Sequence, residues 1–223
     1  MSRAVGPLRL AHRGDWRVAP ENTLPAFLAA LDVPGCHGLE FDVRAAADGV
    51  PVVIHDETLE RVQHTTGRVA QLTAEALEAH GVPTLEDVLV ALPRRAFLDV
   101  ELKGDPGRGA VDVLTAGRGA GLERAVVSSF EPMTLTRVGR LAPSWPRWLN
   151  SKDLSPATIA VAVELACRGI SAQWRSIDER SVARAREAGL EVAAWTVRRR
   201  PTYDRLARLG VVAISAEGAA LDG

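Results

Sequence analysis

Short apolar runs rich in Val, Leu, Ile and Ala alternate along this chain with stretches whose apolar positions recur every three to four residues. The first kind predicts strands at 8–12, 38–43, 51–55, 96–102, 124–129, 147–150, 169–173, 191–197 and 211–215. The second predicts helices at 22–32, 73–80, 84–92, 109–120, 132–141, 156–168, 177–188 and 202–209. Pro132 and Pro156 fall in first helical turns, where a missing N–H costs nothing. Ser176 with Glu179 reads as a capping box, and Gly189 closes that helix.

Strand and helix alternate almost throughout, which argues for a parallel sheet. At 223 residues the chain is sized for one domain, spanning 1–223. Strand count and length favour an α/β fold of the (β/α)8 TIM-barrel type over an open doubly wound sheet. No Gly-x-Gly-x-x-Gly follows the first strand, which weakens a dinucleotide-binding alternative. Nine strand candidates compete for eight places. The link from Arg44 to Val50 is too short for a parallel crossover and contains Asp48-Gly49, a tight-turn signal. The expectation is therefore an irregular barrel with a helix missing after the second strand and a hairpin or local excursion there. Segment 57–83 is polar and weakly periodic, and reads as a loop or small lid.

Polar, titratable residues sit where the early apolar runs stop: His12-Arg13-Gly14, Glu40-Phe41-Asp42, His55-Asp56 and Glu101-Leu102-Lys103. Strand side chains alternate faces, so Glu40 and Asp42 share a face, as do Glu101 and Lys103. Neighbouring strands would bring three carboxylates, two imidazoles, an arginine and a lysine together. Glu40, Asp42 and Glu101 offer hard oxygen ligands suited to Mg2+ or Ca2+. His12 and His55 can exchange protons near neutral pH. Arg13 can fork onto phosphate oxygens, and Lys103 can offset phosphoryl charge. The structural alternative for the carboxylates is salt bridging at a barrel rim; three at strand ends beside two histidines favour metal. Asp99 shares the face of Glu101 one layer deeper and suits a supporting role.

Around that centre, Glu21-Asn22-Thr23 opens the first helix, either as a cap or with Glu21 and Asn22 also bracing the site. Asp56 orients a neighbour. Trp195 flanks substrate at the barrel mouth or is buried in the core. His37, His64 and His80 lack such company and read as satisfied core or loop residues.

The chain has 27 Lys+Arg, of which only Lys103 and Lys152 are lysine. Keeping lysine beside Glu101 in an arginine-rich chain supports a need for a compact point charge there. Formal net charge is −1, which argues against a nucleic-acid partner or an anionic membrane surface. No apolar run approaches the about 20 residues of a membrane-spanning helix, and Met1 to Arg9 shows no apolar leader. Cys36 and Cys167 stand apart without Cys-x-x-Cys spacing, as expected of reduced thiols in a cytoplasmic protein.

Taken in order, these residues resemble the glycerophosphodiester phosphodiesterase family. The matching motifs are His12-Arg13-Gly14, Glu21-Asn22-Thr23, Glu40-x-Asp42, Asp48-Gly49-x-Pro51-Val52-x-x-His55-Asp56, Pro83-Thr84-Leu85, Glu101-x-Lys103, Ser129-Phe130 and Trp195-Thr196-Val197, covering about residues 8–200. The resemblance implies an irregular TIM barrel with its site at the C-terminal strand ends. It also implies metal-dependent cleavage of a small glycerophosphodiester to sn-glycerol 3-phosphate and an alcohol. By the same resemblance His12 and His55 act as acid and base, and Glu40, Asp42 and Glu101 hold the metal. Arg13 and Lys103, with Glu21, Asn22 and Trp195, meet the substrate. The substrate's own 2-hydroxyl can attack phosphorus to give a cyclic phosphate, so no protein nucleophile is needed.

Three departures from the family pattern stand out: Arg198 where Asn is usual, Ser215-Ala216-Glu217-Gly218 in place of Thr-Asp before a Pro, and an expanded run from Arg61 to Gly67. All are expected to lie outside the catalytic set. Competing readings are a sphingomyelinase D-like or phosphoinositide-cleaving barrel, a non-catalytic phosphate-binding barrel, and a metal-dependent lyase or aldolase on the same fold. An intact set of histidines and carboxylates argues against the binding-only reading.

Overall fold

In the computed structural model, which describes residues 6–105 and 107–222, eight parallel strands close into a barrel. Most of the Met1–Arg9 stretch read for a leader lies outside those residues. The barrel strands are β1 (Leu8–His12), β2 (Gly38–Ala45), β4 (Phe97–Leu102), β5 (Ala125–Ser129), β6 (Arg147–Ser151), β7 (Gly169–Gln173), β8 (Glu191–Val197) and β9 (Ala213–Ala216). β1 pairs with both β2 and β9, so no barrel edge is left open. The ninth strand, β3 (Pro51–Val53), is antiparallel to β2 and lies outside the barrel count.

Helices α1 (Leu24–Leu31), α4 (Gly107–Arg118), α5 (Pro132–Leu141), α6 (Pro156–Glu164), α7 (Glu179–Glu187) and α8 (Arg200–Leu209) follow β1, β4, β5, β6, β7 and β8. Among the described residues no helix joins β2 to β3. Ala46 and Val50 close a tight turn instead, with the Ala46 N–H donating to the Val50 carbonyl at 2.9 Å and Gly49 at φ +80. Two short helices, α2 (Ala74–Glu78) and α3 (Leu85–Ala91), then lead back to β4. The segment 57–83, read above as a loop or lid, is a packed unit. Leu59, Val69, Leu77 and Val82 are buried with Val52 and Ile54 in a small core of their own.

Alternation along each strand splits the interior in two. Outward residues such as Leu39, Phe41, Leu98, Val100, Ile170 and Ile214 pack beneath the helices in the main core. Inward residues form layers. Leu10, Val126, Trp148, Ala193 and Ala213 plug the lower barrel. Above them the inner face turns polar, with Asp99, Ser128, Asn150, Ser171 and Ser215 all buried.

The capping box expected at Ser176 lies elsewhere. Ser176 ends a short 3₁₀ turn and donates to the Gln173 carbonyl at 2.8 Å. Helix α7 is capped by Asp178, whose carboxylate accepts from the Ser181 N–H at 2.7 Å while Ser181 Oγ accepts from the Asp178 N–H. The 3₁₀ turn ends at Ser176 and Asp178 serves as the cap, so the helix starts at Glu179, two residues later than the sequence pattern assigned.

At the lower rim β2 and β4 nearly touch: a Cβ added at Gly38 would stand 1.9 Å from the Phe97 carbonyl oxygen. Backbone on a paired strand cannot yield as a side chain can. Gly38→Ala is expected to destabilise the fold by about 3 kcal/mol or more, seen as a lowered urea midpoint. A midpoint equal to the parent's would show that the two strands part here without penalty.

Candidate active site

Strand register assembles the site. His12 lies opposite Glu40 in the β1–β2 pairing, Glu40 opposite Asp99, and Asp42 opposite Glu101 in the β2–β4 pairing. The two carboxylates of β2 therefore face inward beside the one that ends β4. Single oxygens of Glu40, Asp42 and Glu101 all lie within 4.8 Å of one another, and all three residues are buried. His55 reaches the site from β3: the Ile54 N–H donates to the Asp42 carbonyl at 3.0 Å, which holds the chain beside β2.

The β1–α1 loop brings the cation. Arg13 (φ +59) and Asn22 (φ +58) both adopt left-handed backbone, and Gly14 (φ +86) passes so close to Ala26 that an added Cβ would stand 2.7 Å from its backbone. The turn is tied by the Asn22 N–H to the Arg13 carbonyl at 3.0 Å and by the Arg13 N–H to the Glu40 carbonyl at 2.8 Å. As a result Arg13 Nε stands 3.0 Å from Asp42 Oδ2, and Asn22 Nδ2 donates to the same oxygen at 2.9 Å. Thr23, not Asn22, caps α1. Glu21 turns to Arg13 Nη1 at 3.0 Å, so Glu21 and Asn22 both brace the site. Lys103 Nζ sits 3.1 Å from Asp42 Oδ1 and donates to Glu101 Oε1.

Charge is unevenly compensated. Burial alone would push the Asp42 carboxyl up, but Arg13 and Lys103 hold it below its ordinary range. Glu40 goes the other way: burial first, then the Asp42 and Glu101 charges, push it well up. Glu101 is likewise pushed up by burial and by Asp42, against the pull of Lys103. Glu40 Oε2 is buried without a hydrogen-bond partner. A cluster of hard oxygens with an unpartnered member and an excess of negative charge fits a divalent cation held by Glu40, Asp42 and Glu101.

The two histidines are held alike. His55 Nδ1 lies 2.6 Å from Asp56 Oδ1, and His12 Nδ1 lies 2.5 Å from Glu217 Oε1. An ionised carboxylate only accepts, so Nδ1 carries the proton in each ring and Nε2 is free to exchange one. His12 Nε2 is 3.6 Å from Glu40 Oε2 and 3.3 Å from Thr196 Oγ1. Burial, followed by Arg13 and Lys103, holds His55 below its ordinary range against Asp42 and Asp56. Glu217 and Asp56 are each held at about 2: burial raises both, but hydrogen bonds outweigh it, from His12 and Arg198 for Glu217 and from Arg61 and His55 for Asp56.

His12, Arg13, Glu40, His55, Glu101 and Lys103 line a cavity of about 200 Å³ at the C-terminal strand ends, with Phe130 and Trp195 on its apolar wall. The rings meet edge to face with centroids 5.4 Å apart. Trp195 Nε1 donates to the Ser171 carbonyl at 2.9 Å, which fixes the indole against β7. Asp99 lies beneath Glu101, accepting from Ser128 Oγ at 2.6 Å. His37, His64 and His80 are exposed, not in the core, and none lines this cavity.

One expectation needs correcting. The run Ser215-Ala216-Glu217-Gly218 was expected outside the catalytic set, yet Glu217 is the partner of His12. Nothing near either residue in the sequence signals the pairing, which is made only by the closure of β9 against β1. Arg198, another departure, donates from Nε to Glu217 Oε2 at 2.7 Å.

Comparison with known proteins places this geometry in context. Residues 12–217 match the model of the glycerophosphoryl diester phosphodiesterase family. A glycerophosphodiester phosphodiesterase of Caldanaerobacter subterraneus subsp. tengcongensis is 28% identical over 222 residues, covering 92% of this chain and 91% of that protein. The uncharacterized protein YqiK of Bacillus subtilis is 31% identical over 220 residues, covering 90% of each. Among solved structures, an Oleispira antarctica phosphodiesterase in complex with the product sn-glycerol-3-phosphate superposes with a TM-score of 0.82 at 25% identity, covering 95% of this chain and 93% of that one. A glycerophosphodiester phosphodiesterase from Agrobacterium tumefaciens gives 0.82 at 26% identity, covering 97% and 98%.

The excess negative charge makes cation binding measurable without turnover. Mg2+ or Ca2+ at about 100 times its dissociation constant is expected to stabilise the fold by about 2.7 kcal/mol, seen as a raised Tm. Glu40→Gln combined with Glu101→Gln should abolish the shift. An equal shift in that double variant would place the ion elsewhere.

Proposed function

The chain belongs to the glycerophosphoryl diester phosphodiesterase family, and from that premise we propose that it hydrolyses small glycerophosphodiesters to sn-glycerol 3-phosphate and an alcohol, using a divalent cation and a pair of histidines. The observation that carries this reading is the placement of His12 and His55, each with a carboxylate on Nδ1, around a cavity also lined by Arg13, Lys103, Glu40 and Glu101, with Asp42 of the carboxylate cluster buried behind them. The product seen in the Oleispira antarctica enzyme supports the glycerol 3-phosphate half of the reaction.

Glu40, Asp42 and Glu101 would hold Mg2+ or Ca2+, which, when bound, neutralises charge growing on the phosphoryl oxygens. Arg13 and Lys103 draw those oxygens into place. One histidine takes the proton from the substrate's 2-hydroxyl through its free Nε2. The freed oxygen attacks phosphorus, and the bond to the alcohol oxygen breaks as the other histidine protonates it. The resulting cyclic glycerol phosphate is then opened by water with the two histidines exchanging roles. Attack from within the substrate gains strongly from proximity, so no serine, cysteine or threonine of the protein is called upon. Phe130 and Trp195 give the glycerol carbons an apolar wall.

Span 1–223 acts as one catalytic domain in this reading. The unpaired cysteines Cys36 and Cys167 support a reducing compartment such as the cytoplasm. No helix among the described residues is long and apolar enough to cross a membrane.

Release of sn-glycerol 3-phosphate from glycerophosphocholine, glycerophosphoethanolamine and glycerophosphoglycerol is expected, lost with EDTA and restored by Mg2+ or Ca2+. No release from any of them with metal present would overturn the assignment. His55→Ala should lower kcat/KM by about 10²-fold or more, which a lyase or aldolase on the same fold would not require. Glu217→Gln offers His12 an amide that can present N–H or oxygen to Nδ1, removing the acceptor that selects the tautomer. A fall in kcat of about 10²-fold or more with an unchanged Tm is expected, and full kcat would remove Glu217 from the mechanism.

A further inference from the structure

We propose that Arg61 and Arg198 are positioning residues, each gripping the outer oxygen of the carboxylate that orients one of the two histidines. The proposal rests on the acid/base reading of His12 and His55. The two sides of the mouth are built alike. On one, His55 Nδ1 meets Asp56 Oδ1, and Arg61 Nε donates to Asp56 Oδ2 at 2.5 Å. On the other, His12 Nδ1 meets Glu217 Oε1, and Arg198 Nε donates to Glu217 Oε2 at 2.7 Å. Neither arginine borders the cavity.

A carboxylate held by one hydrogen bond still turns about its own side-chain torsions, and the imidazole turns with it. A second bond on the opposite oxygen fixes the plane of the carboxylate and, through it, the direction of Nε2. The arginines themselves are exposed, with 50% of the Arg61 side chain and 74% of Arg198 open to solvent. Their carboxylate partners are more enclosed, with 23% of the Asp56 side chain and 9% of Glu217 open to solvent, so the pairs add to stability as well. Stability alone does not require that both arginines choose carboxylates already bonded to a histidine. Geometry gives a reason for that choice, since small misplacements of reacting groups are costly to rate.

The two grips differ in reach. Arg198 holds Glu217 alone. Arg61 also donates to Glu21, from Nη2 to Oε1 at 2.6 Å and from Nη1 to Oε2 at 3.0 Å. Glu21 Oε1 in turn receives Arg13 Nη1. One guanidinium thus ties His55 and the phosphate-facing Arg13 into a single network across the mouth, from the segment after β3 to the β1–α1 loop. The consequence is a split: Arg198 governs the orientation of His12 only, whereas Arg61 governs both His55 and the hold on substrate phosphate.

Kinetics of the metal-loaded enzyme on glycerophosphocholine test this. Arg198→Ala should lower kcat about 10-fold with KM little changed, and Arg61→Ala should lower kcat about 10-fold and raise KM as well. Arg198→Lys should recover most activity, because one N–H contact suffices. Arg61→Lys should recover less, because an ammonium cannot span two carboxylates. In a Glu217→Gln background, Arg198→Ala should add no further loss. Unchanged kcat in both alanine variants, or losses that multiply in the double variant, would overturn the proposal. A second measurement is independent of turnover: in metal-free protein, the downfield proton NMR signals of the two imidazole Nδ1–H groups should weaken or shift selectively, His55 with Arg61→Ala and His12 with Arg198→Ala. If the wild type releases no glycerol 3-phosphate, the functional reading fails and these signals alone decide the positioning role; signals identical to wild type would refute it.

Discussion

The structure turns on the burial of like charge. Glu40, Asp42, Asp99 and Glu101 all face the inside of the barrel within two adjacent strands, and all four are buried. Removing one ionised carboxylate from water costs several kcal/mol even after relaxation, and mutual repulsion adds to that. The chain answers with Arg13 and Lys103, both directed at Asp42, and with the amide of Asn22. Two cations against four carboxylates leave Glu40 and Glu101 pushed up, and Asp99 raised to about 7 by burial above all, against the Ser128 hydrogen bond. Protons are therefore held more tightly here than on free carboxylates, and a divalent cation would compete with them. Instability of the empty state and affinity for the cation have one origin.

Barrel geometry makes that concentration of charge attainable. Parallel pairing sets β2 and β4 in register so that Asp42 meets Glu101 and Glu40 meets Asp99, and the pleat turns all four inward. Apolar layers below carry the folding energy, leaving the upper interior free for polar groups. The one break in the repeat serves the site as well. With the helix after β2 replaced by a hairpin, β3 runs back along β2 and sets His55 beside Asp42. The small core under segment 57–83 anchors the same excursion and places Arg61 at the mouth.

Much of this was legible in the chain because it is local. The polar clusters at strand ends, the surplus strand and the Asp48-Gly49 turn all follow from spacing within a few residues. Glu217 was not legible, although it is the nearest partner of His12. The pair is separated by 205 positions and meets only because β9 closes against β1. Segment 57–83, read as a loop or small lid with a helix at 73–80, hid its own core for a related reason. Leu59, Val69, Leu77 and Val82 share no single period, since a 3₁₀ turn and a five-residue helix present them to one another. The α7 cap was displaced by two residues because Ser176, a good cap by type, is used by the preceding 3₁₀ turn.

The two C-terminal departures from the family pattern become one feature in three dimensions. Arg198 follows β8 and Glu217 follows β9, neighbouring strands whose ends lie together: the Glu217 N–H donates to the Val197 carbonyl at 2.8 Å. A glutamate here has one more torsion than the aspartate it replaces, and so more freedom to lose when it orients an imidazole. The guanidinium of Arg198 on its outer oxygen restricts that freedom in a way the shorter asparagine side chain would not at the same distance. Each change alone would loosen His12 or leave a cation without a partner. Together they set a fixed carboxylate at Nδ1 of His12. The pair therefore reads as one substitution spread over two strands, with the constraint acting on the imidazole rather than on either residue's identity.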